Sequence, residues 1–181
     1  MKEKNNPIKA QRYVDLLTDS GFKAVFGDQK NKQVLIDFLN AVLPDGRLVK
    51  DLTKGDVDYD IPPVYLVAIL AGECLNREKL TGDTPEETIF CTFVELKRFD
   101  KKLSECKNII DKWCYALKYM SRLDKLPKEF QKEVFRRLFE ASEIAQFSED
   151  KRIKYEQEMI SERDYNNILA TAREEGLKMG H

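Results

Sequence analysis

Two short segments of this 181-residue chain carry residue types whose spacing could serve metal-dependent chemistry. Glu95-Leu96-Lys97 closes an apolar run, and on a strand the i, i+2 spacing puts carboxylate and ammonium on one face. Asp56, Asp58 and Asp60 alternate with Val57, Tyr59 and Ile61, so three carboxylates share one side of a predicted strand and could ligate Mg²⁺. Asp19, beside Thr18, adds a carboxylate at a predicted helix start. Each has a plainer reading. Glu95 and Lys97 can mark a strand entering a charged loop, aspartates on an edge strand discourage sheet-to-sheet pairing, and Thr18 or Asp19 can cap a helix.

Other chemistries are excluded by what is missing. The single histidine, His181, is the last residue, where no scaffold holds an imidazole for a triad, a Cys-His pair or a histidine-rich metal site. The cysteines (Cys74, Cys91, Cys106, Cys114) form no C-x-x-C pair and show no zinc-like spacing, and read as reduced thiols. The charged fraction is 35%, yet the signs nearly cancel to a formal net charge of −1, so bulk charge gives no nucleic-acid signal. No run approaches the roughly 18 apolar residues of a membrane span, and no apolar stretch follows the lysine-rich start as in a signal peptide. The expectation is a cytoplasmic protein without small-molecule substrate. A basic stretch from Lys101 to Arg137, with Trp113, Tyr115 and Tyr119, could track a DNA backbone.

The elements that must position these residues are mostly helical. Residues 1–18 read as a polar lead-in, and a short helix runs to Phe26, stopped by Gly27. Val34, Leu35, Phe38, Leu39 and Val42 predict a helix over 30–43. Val64 to Leu70 and Ile89 to Leu96 are apolar on both faces, as strands covered from both sides would be. Helices follow over 104–122, with Ile109, Ile110, Trp113, Leu117 and Met120 inward, and over 127–146, burying Phe130, Val134, Leu138 and Ala145. A last helix starts at Ser148 with a stripe of Tyr155, Met159, Tyr165, Ile168, Leu169 and Ala172. The fold class is α+β, mostly helical, with a residual sheet of two or three strands in a single domain. Its parts are residues 1–61, 62–147 and 148–181. Two strands apolar on both faces ask for more sheet than the chain supplies.

The run Leu17-Thr18-Asp19-Ser20-Gly21-Phe22-Lys23-Ala24-Val25-Phe26-Gly27, followed by Asn31-Lys32 and Leu35-Ile36-Asp37-Phe38-Leu39-Asn40-Ala41-Val42-Leu43, resembles the N-terminal signature of the PD-(D/E)XK nuclease family transposases. So do Pro63 to Leu70, Phe93-Val94-Glu95-Leu96, Asp111-Lys112-Trp113, Leu138 to Ala145, Tyr155-Glu156 and Thr171 to Gly176, in the family's order. The resemblance implies relatives of recombination-promoting nucleases from bacterial mobile elements. It also implies a catalytic core between Leu43 and Val64, with an aspartate on one strand and Glu-x-Lys or Glu-x-Gln on the next, holding Mg²⁺ for attack on a phosphodiester. Here only about twenty residues join those points, and they contain neither motif.

The resemblance thus implies a member with its active centre deleted. Glu95-Leu96-Lys97 corresponds to a segment after the family's centre that carries no catalysis. Two functions follow as expectations. One is a non-catalytic protein that still binds DNA or a full-length relative. The other is a Mg²⁺-dependent endonuclease with a site rebuilt from Asp19, the 56–60 carboxylates, Glu95 and Lys97. The open side of the sheet implies one of two outcomes, a homodimer through the exposed sheet edge or poor packing there with ready aggregation.

Overall fold

The computed structural model describes residues 11–43, 49, 64–71 and 89–179. Its order is α1 (Asp19–Phe26), α2 (Lys32–Val42), β1 (Val64–Leu70), β2 (Ile89–Glu95), α3 (Ile109–Tyr119), α4 (Glu133–Ala141) and α5 (Glu149–Met179). The predicted strand at 56–61, with its three aspartates, lies outside the described residues. The mostly helical α+β class holds.

The core is a line of aromatic rings. Phe26 meets Phe38 at 5.8 Å between centroids, Phe38 meets Trp113 at 5.3 Å, and Trp113 meets Phe135 at 5.1 Å. Phe135 continues to Phe130 at 4.8 Å, Phe130 to Phe139 at 5.3 Å, and Phe139 to Tyr13 at 5.0 Å. These offset and edge-on contacts are the arrangements that ring quadrupoles favour. Trp113 is wholly buried and joins α2, α3 and α4.

Residues 11–18 are not the polar lead-in that their composition suggests. Tyr13, Val14 and Leu16 are buried. Tyr13 bridges antiparallel to Glu143, with Val14 N–H donating to the Ser142 carbonyl and Ile144 N–H to the Arg12 carbonyl, each at 3.0 Å. The segment is thus fastened to the end of α4 by backbone bonds that no periodicity announces. Gly21 is needed where this segment passes α1: a Cβ there would stand 2.0 Å from the Asp15 carbonyl oxygen.

Three helices are shorter than the sequence predicts. The turn Gln29–Asn31 is 3₁₀ before α2 begins. The span 104–122 is a 3₁₀ turn at Leu103–Glu105, then α3, then another at Met120–Arg122. Asn108 starts α3 by accepting the Asp111 N–H at 2.6 Å, and Ile110 lies 47% exposed rather than inward. Over 127–146 only α4 is α-helical. Pro127 opens a turn closed by Phe130 N–H at 3.1 Å, and Ala145 is exposed. Phe130 is buried as predicted, but from that turn.

β1 and β2 pair in parallel, Val64 with Ile89 through Leu70 with Glu95. Alternation puts Val67, Ile69 and Val94 on the face that packs against the core. The other face carries Leu66, which is 49% exposed, so β1 is not covered on both faces. β2 ends at Glu95, and Leu96, 1% exposed, enters the core from a 3₁₀ turn instead.

α5 runs antiparallel along α1, as its contacts require. Lys151 donates to the Ala24 carbonyl and Asp28 at the far end of α1, whereas Glu158 reaches its first turn. Tyr155 is buried between them, and Met159 is half-buried. Beyond Met159 the predicted stripe is exposed: Leu169 is 37%, Tyr165 62% and Ile168 67% exposed.

Candidate functional site

Asp19 sits at the first residue of α1. Thr18, not Asp19, is the cap: its Oγ1 accepts the Gly21 N–H at 3.1 Å. The Asp19 carboxylate turns outward to Lys23, 2.6 Å away, and both side chains are about two-thirds exposed or more. That hydrogen bond raises the Lys23 pKa. The free N–H groups of the first turn are met from α5. Glu158 Oε1 accepts from Asp19 N–H at 2.9 Å, and Oε2 from Ser20 N–H at 2.7 Å. A carboxylate at a helix N-terminus satisfies orphan donors and complements the dipole.

At the other end of α1, the Lys151 ammonium lies 3.2 Å from the Ala24 carbonyl and 2.7 Å from Asp28 Oδ2. Lys151, Tyr155 and Glu158 share one face of α5 at i, i+4, i+7 spacing. Through them α5 reads α1 at both poles. The Lys151 hydrogen bond holds the Asp28 carboxyl below the usual aspartate value.

Glu95 and Lys97 do not share a strand face. β2 stops at Glu95, and Lys97 belongs to the 3₁₀ turn Leu96–Arg98, exposed to solvent. The Glu95 side chain is mostly buried, at 12% exposed, with Arg98 Nη1 3.5 Å from its Oε2. Its surroundings are an apolar groove of about 310 Å³ between β2 and α3, lined by Val42, Phe93, Val94, Phe99 and Ile110 among others. Asp19 instead rims a separate groove of about 350 Å³ beside β1, with Leu16, Phe22, Val67 and Ile69. Among the described residues the two grooves share no lining residue. Asp56, Asp58 and Asp60 lie outside the described residues. Among the described residues no three His, Cys, Asp or Glu side chains cluster as metal ligands would.

One polar pair was not singled out as a site in the sequence. Asp111 is 9% exposed and accepts from Lys101 Nζ at 2.8 Å, which raises the Lys101 pKa. Its only sequence signal is Asp111-Lys112-Trp113. Nearby, burial pushes the Cys106 thiol up and the Cys114 thiol up to about 11. Both stay protonated near neutral pH, so neither is a ready nucleophile. Trp113 is fully buried and offers no stacking surface, while Tyr115 and Tyr119 lie 4.9 Å apart with Lys118 and Arg122 over the Tyr119 ring.

A family model described as PD-(D/E)XK nuclease family transposase matches residues 16–60 and 49–172. The chain belongs to this family. No curated protein and no solved structure matches it. Membership covers the elements from the Leu16 segment through most of α5, including Asp19, Glu95 and Asp111. Among the described residues no helix is long and apolar enough to cross a membrane.

Proposed function

We propose that this family member no longer cuts DNA, and that it persists as a folded binding protein in the bacterial cytoplasm. The observation that carries the reading is how the family pattern falls on the chain. It matches in two stretches, residues 16–60 and 49–172, rather than in one continuous run. Only about twenty residues link Leu43 to Val64, and they hold no Glu-x-Lys or Glu-x-Gln. Among the described residues the sheet has two parallel strands, with one face exposed at Leu66, which supports the same reading.

Among the described residues the donor set fits Mg²⁺ poorly. A Mg²⁺ centre for phosphodiester hydrolysis needs carboxylates converging on one point, with a lysine to steady the developing charge. Asp19 and Glu95 open into different grooves, Asp19 is paired to Lys23, and Lys97 stands outside the strand. A rebuilt endonuclease would have to draw Asp56, Asp58 and Asp60 to one of these carboxylates. No step of hydrolysis is therefore assigned to these residues.

Binding to DNA would rest on cations rather than on aromatic stacking. Lys125, Lys128, Lys132 and Arg136 are exposed along the turn into α4, where they can neutralise phosphates. The test is one preparation assayed twice. Plasmid incubated with the protein and Mg²⁺ or Mn²⁺ stays supercoiled. An electrophoretic shift with duplex DNA appears at low salt and weakens as salt rises. Metal-dependent nicking that disappears in Glu95→Ala would overturn the non-catalytic reading, and no shift at any salt concentration would overturn the binding reading.

A further inference from the structure

α5 leaves the body after Met159. From Ile160 to Leu177, every residue whose side chain is described is exposed. Yet this stretch is not polar all round. Tyr165, Ile168, Leu169, Ala172 and Gly176 recur at i, i+3, i+4, i+7 and i+11, which places them on one side of the helix. A lone helix of about 18 residues is marginal in water, and an apolar stripe makes it less suited to stand alone.

Two features of the stripe select its occupant. The first is a gradient of size. The bulky residues Tyr165, Ile168 and Leu169 come first, and the small ones, Ala172 and Gly176, come last. A Cβ built on Gly176 meets nothing within 4 Å, so the space above it is open. If two identical helices pair antiparallel about a twofold axis between residues 170 and 171, Tyr165 faces Gly176 of the second copy. Leu169 then faces Ala172 of the second copy, and large side chains fill the gaps that small ones leave. Parallel pairing would stack tyrosine on tyrosine and leave a void at the glycines.

The second feature is length. In that antiparallel register, residue 179 of one helix lies opposite residue 162 of the other. This is just beyond Met159, where the body ends, so the free helices overlap fully without driving the two bodies together. The contact is isologous and closes on itself. Two helices touching along about 27 Å cover roughly 1,000 Å², the low end for a specific interface.

We propose that the distal half of α5 binds a second copy of this chain as an antiparallel helix pair, forming a weak, concentration-dependent dimer. The proposal concerns assembly and stands apart from the question of nuclease activity. It also differs from pairing through the sheet, where Leu66 is the exposed residue.

Sedimentation velocity of the full chain over a hundredfold concentration series tests it, together with Leu169→Glu and Leu66→Glu. The expected result is a dimer that dissociates on dilution, is lost in Leu169→Glu at unchanged melting temperature, and survives in Leu66→Glu. A monomer at every concentration would overturn the proposal. So would a dimer that persists in Leu169→Glu. Orientation is read by oxidative cross-linking, with the linked peptide identified by mass. In the antiparallel register, the two copies of residue 172 are offset by about 4.5 Å along the axis, and those of residue 176 by about 16 Å. Ala172→Cys should therefore link and Gly176→Cys should not. Linking at both positions would mean a parallel pair and defeat the argument from size.

Discussion

The two strands are built from more apolar sequence than the helices of the body, yet among the described residues they are less completely covered. In the body, seven rings run in contact from Phe26 to Tyr13, and Trp113, Phe130, Phe135 and Leu138 are wholly buried. In the sheet, one face packs through Val67, Ile69 and Val94, while Leu66 on the other face is half exposed. Apolar content makes a core only where a second layer covers it. The same difference separates the two halves of α5: Tyr155 is 3% exposed against α1, and Tyr165, ten residues on, is 62% exposed.

The largest effect should come from the ring line. Trp113→Ala opens a cavity where three helices meet, and chemical denaturation should show a loss of about 3–5 kcal/mol. Next is Gly21→Ala. Its Cβ would meet backbone at 2.0 Å and the Thr18 cap oxygen at 2.7 Å, so α1 and the 11–18 segment must part, at a cost of about 1–3 kcal/mol. A loss below half a kcal/mol would show that the two elements yield easily and that the body is less tightly finished than its rings imply.

Glu158→Ala removes the carboxylate from the first turn of α1 and should cost about 1 kcal/mol, the usual worth of a cap. Amide exchange should then quicken at Asp19 and Ser20 before it does in α3. The smallest effects belong to the open side. Leu66→Ala and Lys97→Ala should each stay within about 0.5 kcal/mol in thermal melts, because neither empties a packed site. A loss of several kcal/mol at Leu66 would mean that the exposed face of β1 is covered after all, and the contrast with the body would fail.

What could be read from the sequence follows the range of the forces involved. Cap and stop residues place α1 and the start of α5, helix periodicity places α2, and runs of β-forming apolar residues place both strands, because these signals are local. The segment 11–18 carries Tyr13, Val14, Leu16 and Leu17 at no regular spacing, and is held by residues near Ser142, so its composition does not reveal its burial. The Glu158 contact with Ser20 spans 138 positions and has no local signature. Pro127 did mark a local start, but of a turn; α4 begins six residues later, at Glu133. The stripe beyond Met159 is written identically whether its partner lies in the same chain or in another, so burial could not be inferred from it.

For the candidate site, residue types were legible and convergence was not. Glu95-Leu96-Lys97 satisfies a spacing rule that holds only while the strand continues, and β2 ends two residues before Lys97. Asp19 stands beside its cap rather than serving as one.

The central claim is that the carboxylates of this chain form no divalent-metal centre, and direct titration of Mn²⁺ followed by electron paramagnetic resonance tests it with no assumption about substrate. The account predicts that the free-ion signal grows in proportion to added Mn²⁺ at protein concentrations well above those of a catalytic site's affinity. Uptake of one equivalent of Mn²⁺, abolished by Asp58→Ala and by Glu95→Ala in a protein that still melts normally, would contradict it.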